Sequence, residues 1–282
     1  MSFDANAHRE SSLENWEEAA SGWVRRQEEL RELAAPVSHW MIEAINPQPG
    51  QRVLELAAGL GETGLLAAEL LTPVGGVLIS DQAEAMLTGA RERASSLGLT
   101  NVELKVLNAE WIDLPLASVD AVLCRWGYML MADPATALSE TRRVLRPGGR
   151  VALAVWDTLE QNPWAQLPAQ ELSERGLAGA GAAAPGPFTL ASAERVSELL
   201  KGAGFAEIRI ETLELVRRHR SFDDFWEITL DLSRSFHDVV LDQPEAQIAE
   251  IRASLEHRFA PFTSSAGELV IPARTLVAAA EA

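Results

Sequence analysis

Cysteine, tyrosine and positive charge are all scarce in this chain. Its 282 residues include one cysteine and one tyrosine. A single cysteine, Cys124, excludes an intramolecular disulfide and fits a reducing, cytoplasmic compartment. It lies in an apolar run, which reads as an inert core thiol rather than a nucleophile. Only 24 Lys and Arg stand against 41 Asp and Glu, a net charge of −17. That balance leaves no basic footprint for nucleic acid and little attraction to an anionic membrane. No apolar run approaches the ~20 residues that span a bilayer. The opening stretch MSFDANAHRESS lacks the apolar segment of a secretion signal. No internal repeat is visible.

What is present is an alternation of short apolar strands and helical runs. Hydrophobic residues make up 47% of the chain, enough for a full core. A helix is expected over 12–33, with Trp16, Ala20 and Trp23 on one face. Pro36 is placed to open a second helix that runs to about Asn46. Strands are expected at 52–56, 77–81, 102–107, 119–124 and 151–156. Helices fall between them at 65–71, at 83–97 and from Asp133-Pro134. This pattern implies a doubly wound, mostly parallel α/β sheet. Beyond Trp156 come a helix at 160–177, a low-complexity loop at 178–187 and a helix at 191–202. A sixth strand at 208–216 follows, then two helical stretches within 221–259. A last strand at 269–279 returns beside the sixth. The cluster Arg217-Arg218-His219-Arg220 reads as a solvated loop, with a binding patch as the alternative.

The most informative stretch is Val53 to Gly64, VLELAAGLGETG. A buried strand runs into Gly59, Gly61 and Gly64 and then into a helix. Such a turn cradles a nucleotide-like ligand, because glycine lets backbone approach it closely. The spacing also fits a dinucleotide fingerprint. Glu55, at the strand end, argues against that: a carboxylate there repels a pyrophosphate. It suits a ligand with an ammonium and a sulfonium. Asp81 ends the second strand, where a carboxylate can accept both ribose hydroxyls. Helix N-cap is its other reading.

Glu55-x-Ala57-x-Gly59-x-Gly61 resembles motif I of the class I S-adenosylmethionine-dependent methyltransferases, with Ala57 where that family often has glycine. Asp81-Gln82-Ala83-Glu84-Ala85-Met86-Leu87 is similar to the family's D-x-S-x-x-M-L run. Asn108-Ala109-Glu110 stands where the family has Asp-Ala, the acid on the adenine amino group; Asn108 can still accept there through its carbonyl oxygen. Residues 114–156, with the Leu145-Arg146-Pro147-Gly148-Gly149 turn, resemble the ubiquinone/menaquinone-type branch. Trp16-x-x-x-Ala20-x-x-Trp23 resembles an aromatic segment that lies over the cofactor. There, Trp23 either packs on the methionine arm or merely docks the helix. Met86 and Trp111 are candidates to flank the adenine, with core packing as the alternative. The Arg125 backbone carbonyl is expected near the cofactor's amino group, its side chain structural.

The resemblance implies a seven-stranded, Rossmann-like methyltransferase fold with S-adenosylmethionine as cofactor. One domain is expected, with a helical lid at 1–46, a cofactor-binding core at 47–156 and a lid segment at 157–190. The rest, 191–282, completes the sheet and carries a helical insertion at 221–265. Further absences narrow the acceptor. No Asn/Asp-Pro-Pro-Tyr/Phe run follows the fourth strand, as amino-methylases of nucleic acids require. One buried cysteine does not serve cytosine-C5 or arsenite chemistry, and no acidic cluster is spaced for magnesium. Tyr128 and His39 are the candidates for pocket or base roles; packing is the alternative for each. Eight tryptophans suggest an aromatic-walled pocket. The expectation is therefore methyl transfer to a small, electron-rich aromatic acceptor from secondary or quinone metabolism, with carbon ahead of oxygen or nitrogen. An NAD-dependent oxidoreductase and a non-catalytic cofactor-binding protein are the rivals. A homo-oligomer stays open.

Overall fold

The computed structural model describes residues 3–177 and 185–282. The loop expected at 178–187 therefore falls mostly outside the described residues. Seven strands form one sheet in the order β3-β2-β1-β4-β5-β7-β6. β1 (Arg52–Glu55), β2 (Gly76–Asp81), β3 (Val102–Val106), β4 (Val119–Arg125) and β5 (Leu145–Trp156) run parallel. β7 (Leu269–Glu281) inserts antiparallel between β5 and β6 (Ala206–His219). The strand order reverses between β1 and β4. In an open sheet of this kind, a ligand crevice opens at the carboxyl ends of the strands beside that switch point.

The sequence rules account for most element boundaries. The Asp4 side chain caps α1 (Ala5–Arg25) by accepting from the N–H groups of Asn6 and Ala7. Asp133 does the same for α5 (Pro134–Val144), with Pro134 at its first turn. α3 (Glu62–Leu70), α4 (Glu84–Ser96), α6 (Pro163–Glu174) and α7 (Ala193–Gly202) also lie near their expected places.

Three expectations need correction. The N-terminal helices divide at Arg26, not at Pro36, which lies inside α2 (Gln27–Ile45). Proline there removes one helix hydrogen bond. Val37, Met41, Ile42 and Ile45 on the following turns bury completely or nearly so against the sheet, which offsets that loss. For the same reason α2 is part of the main core, and only α1 of the expected 1–46 lid lies over the crevice. The insertion holds three helices rather than two: α8 (Phe222–Leu232), α9 (Arg234–Leu241) and α10 (Glu245–Phe259). The sixth strand continues to His219, so the Arg217–His219 stretch is sheet and not loop.

Three apolar clusters result. The largest fills both faces of the sheet. A second joins Phe222, Phe225, Phe236 and Phe259 of the helical insertion to Leu269 and Ile271 at the start of β7. A small third one, Ala19 and Ala20 with Leu60, Ala83 and Met86, fastens α1 over α4. On its other side α1 runs so close to α8 that a Cβ at Gly22 would collide with the Asp231 carbonyl. Arg25 and Arg26 pair with the Asp231 carboxylate at 2.6 and 2.7 Å. No described helix is long and apolar enough to cross a membrane.

Candidate active site

A cavity of about 110 Å³ opens at the carboxyl ends of β1, β2 and β4, beneath α1. Its floor is the turn after β1. Ala57 and Gly59 there take positive φ, +48° and +55°, so the backbone itself forms the surface. The Trp23 ring lies across Gly59, where an added Cβ would come within 3.5 Å of the indole. Asp81 stands at the end of β2 and is 8% exposed. Its Oδ2 accepts from the Gly59 N–H at 2.8 Å and its Oδ1 from the Ala83 N–H at 3.0 Å. Burial raises its pKa, and these backbone donors oppose the shift. Each oxygen keeps a further lone pair for a ligand hydroxyl. Asp81 thus faces the cavity and braces the turn that leads into α4, but it is not the helix N-cap, which is Ala83.

Gln82, Asn108, Ala109 and Glu110 complete the adjoining wall. Gln82 donates to Ser12 of α1 at 3.2 Å. Asn108 Oδ1 is held by the Glu110 N–H at 2.8 Å. Glu110 accepts from the Ala132 N–H at 3.0 Å and takes both Nε and Nη2 of Arg9, at 3.0 and 2.5 Å. Arg9, His8 and Ser12 are cavity residues that sequence reasoning missed. They belong to the first turns of α1, which reads as solvated in isolation. His8 Nε2 meets the Leu130 carbonyl at 3.0 Å, so two contacts hold α1 across the cleft.

Glu55 is not in the cavity wall. Its carboxylate is 1% exposed and points under the turn, accepting from the Gly64 N–H at 2.9 Å. Burial pushes it up to about 7, against the opposing pull of Arg125 and that N–H. The amino end of α3, where a dinucleotide fold receives its pyrophosphate, is occupied by this carboxyl group and by Glu62. The expected exclusion of a pyrophosphate therefore stands on a contact with the helix rather than with the ligand. Gly61 also leaves the expected set. It caps α3 with φ +77°, and a Cβ there would press on Ile79 and Ala90. Its role is close packing of the turn on β2 and α4.

Arg125 lines the cavity. Its Nε donates to Thr63 Oγ1 at 3.0 Å, and its guanidinium lies 4.9 Å over the Trp126 ring. Burial lowers its pKa, and Glu55 pulls the other way. Trp126 takes φ +59°. It stacks on Trp156 with centroids 4.3 Å apart and donates to Thr275 Oγ1 at 3.0 Å.

Four candidates lie outside the cavity wall, two of them buried and two exposed. Tyr128 is fully buried, and its hydroxyl shares a 2.6 Å hydrogen bond with Thr141. Burial raises its pKa well above the ordinary phenol value, and the ring lies in the core, outside the cavity lining. His39 is exposed on α2, with Nδ1 held by the Ala35 carbonyl at 2.7 Å, away from the cavity. Met86 is buried in the contact of α1 with α4. Trp111 is 78% exposed and lines nothing. Burial pushes the Cys124 thiol up to about 12, as befits an inert core cysteine. Among the described residues no three His, Cys, Asp or Glu side chains gather as a metal site.

Comparison with known proteins points the same way. The family described as "Methyltransferase domain" matches residues 47–204. A ubiquinone/menaquinone biosynthesis C-methyltransferase, UbiE of Cupriavidus metallidurans, is 35% identical over 124 residues, 43% of this chain and 51% of that protein. An uncharacterised 37.1 kDa protein of transposon TN4556 from Streptomyces fradiae is 37% identical over 123 residues, 42% of this chain and 34% of its own. The match thus spans about half or less of these relatives. In three dimensions the YcgJ protein of Bacillus subtilis is similar, with a TM-score of 0.60 and 17% identity, covering 86% of this chain and 97% of that one. At that identity the likeness concerns the fold alone.

Proposed function

The chain belongs to the methyltransferase domain family, and from that premise we propose that it transfers a methyl group from S-adenosylmethionine to a small-molecule acceptor. The acceptor is an electron-rich aromatic or heteroaromatic ring of the indole, phenol or quinol type, methylated at carbon ahead of oxygen or nitrogen. One observation carries the cofactor assignment. Asp81, the Ala57–Gly59 backbone and the Trp23 ring meet in a single cavity, while α3's amino end is closed to phosphate by Glu55.

When bound, S-adenosylmethionine supplies an electrophilic methyl group on a sulfonium. The chain's part is to bind, align and exclude water. Asp81 offers its remaining lone pairs to the ribose hydroxyls. The Trp23 face suits a cationic sulfonium arm. Gln82, Asn108, Ala109 and Glu110 form the wall on the adenine side. Arg9 and His8 hold α1 closed across the cleft. Tyr128 and His39 lie outside the cavity, which favours attack by a ring carbon that needs no strong base. The C-methyltransferase named among the similar proteins supports the same preference.

Calorimetric titration with S-adenosylhomocysteine, with NADH as a parallel control, tests the reading. Micromolar binding of the first alone is the expected result. Binding of NADH alone would make the chain an oxidoreductase. Binding of S-adenosylhomocysteine without turnover on any ring of these classes would leave a cofactor-binding protein that catalyses nothing.

A further inference from the structure

β6 ends in a run of cations that the cofactor site does not use. Arg217 has its Nε sealed from solvent, and that atom has no hydrogen-bond partner among the described residues. Burial alone pushes its guanidinium down to about 10; no carboxylate draws it back. The guanidinium lies 4.4 Å over the Trp164 ring. His219, two residues on and on the same face of the strand, is 6% exposed, and neither of its ring nitrogens has a described partner. Burial, helped by Arg217, pushes its imidazole down to about 4. A native interior rarely leaves two such groups unmatched, because each forgoes the hydration it had in the unfolded chain.

Both residues line a second cavity, of about 230 Å³, between α2, β6 and α8. The chain's own acids do not neutralise them. Glu29 lines the same cavity but is paired with Arg26 at 3.6 Å, and Glu32 is exposed. Asp224, the acid nearest His219, is taken by the backbone and side chain of Arg220. The cavity adjoins the cofactor site. Its wall residue Leu232 accepts the Trp23 indole N–H at 3.4 Å, and Trp23 is the cover of the first cavity. On the sheet side a ladder of indoles makes the same connection. Trp126, at the cofactor cavity, stacks on Trp156; Trp156 meets Trp164 at 5.1 Å; Arg217 covers Trp164.

Building on the methyltransferase reading, we infer that the acceptor ring carries a carboxylate, and that Arg217 and His219 bind it in the cavity between α2, β6 and α8. The guanidinium offers a planar pair of donors that matches a carboxylate, and the neutral imidazole adds one N–H. The ring then lies towards the indole ladder and the cofactor cavity. A neutral acceptor would leave both buried groups unsatisfied, which is how such a site rejects it.

The test uses matched acids and amides: indole-3-acetate with indole-3-acetamide, and 4-hydroxybenzoate with 4-hydroxybenzamide. Each is titrated into the full chain loaded with S-adenosylhomocysteine. At least one acid should bind about 10-fold more tightly than its amide. Arg217→Met, which keeps an apolar stem on Trp164, should abolish that preference and leave S-adenosylhomocysteine affinity unchanged. In the unmutated protein the bound acid should raise the His219 pKa by about one unit, read by NMR. Equal binding of acid and amide overturns the inference. So does failure of both acids to bind, or a His219 pKa that the acid does not move. Failure of S-adenosylhomocysteine to bind the unmutated chain appears before any acid is added; it overturns the cofactor reading, and the inference with it.

Discussion

On the cofactor side of the cleft, Asp81, Asn108 and Glu110 each hold a backbone N–H, two of them from residues within two positions in sequence. On the side of β6 and α8, the Arg217 Nε and both ring nitrogens of His219 hold nothing among the described residues. In the first region each of these side chains is held by a backbone N–H. The second is assembled by side chains from α2, β6 and α8, with polar groups left unmatched. One half is pre-organised by hydrogen bonds; the other leaves polar groups unmatched, and the acceptor proposed above would match them.

Asp81→Ala strikes the organised half hardest. It removes ribose acceptors and the support of the glycine turn together. We expect S-adenosylhomocysteine affinity to fall by roughly 1–3 kcal/mol, read by calorimetry. Unchanged affinity would mean that the cofactor does not lie on the end of β2. The unmatched half has a pH signature of comparable size. The His219 imidazole titrates near 4 when folded, chiefly through burial and then through Arg217, with Asp224 opposing; unfolded it titrates near its ordinary 6.5. Between those values the unfolded chain takes up a proton that the folded chain refuses. Stability from this group is full above pH 6.5 and is lost as pH falls towards 4. Urea unfolding at pH 4.5 and 7 should register a loss on the order of 2 kcal/mol from His219, absent in His219→Phe. An identical pH slope in that variant would show His219 solvated, and the contrast between the halves would collapse.

The smallest effect concerns Tyr128, a candidate for a pocket or base role with packing as its alternative. Tyr128→Phe loses the hydrogen bond to Thr141 and should cost about 1 kcal/mol of stability. Turnover and cofactor affinity should be unaltered. A tenfold drop in turnover at unchanged stability would return Tyr128 to the acceptor site.

The glycine turn, Asp81 and the residues after β3 were legible because their geometry is local: a strand end, a turn and a helix start within a few residues. Glu55 was expected beside the ligand, yet its contact is with the Gly64 N–H of α3, since the side chain of a strand's last residue can turn under the helix as readily as towards the ligand. Tyr128 was misread for a related reason. Trp126 adopts a left-handed backbone, and the chain then enters a short 3₁₀ turn at Tyr128–Leu130 that drives the phenol ring into the core. Arg9 left no signal, because its partner Glu110 lies 101 residues away. The cations at 217–220 looked like a solvated loop, and only the pairing of Arg217 and His219 with Ile271 and Leu269 turned residues 217–219 into sheet.

By itself the sequence determined the order of strands and helices, the parallel core of the sheet and the glycine turn that floors the cavity at the strand ends. Those features rest on hydrophobic period, glycine backbone freedom and charges close in sequence, all of which act within a few residues. Tertiary structure alone decided which side chains face the cavities. It brought α1 down over Gly59, aligned Trp126, Trp156 and Trp164, and left the Arg217 Nε and both His219 ring nitrogens without a described hydrogen-bond partner. Such choices depend on packing between elements far apart in the chain, and no local pattern encodes them.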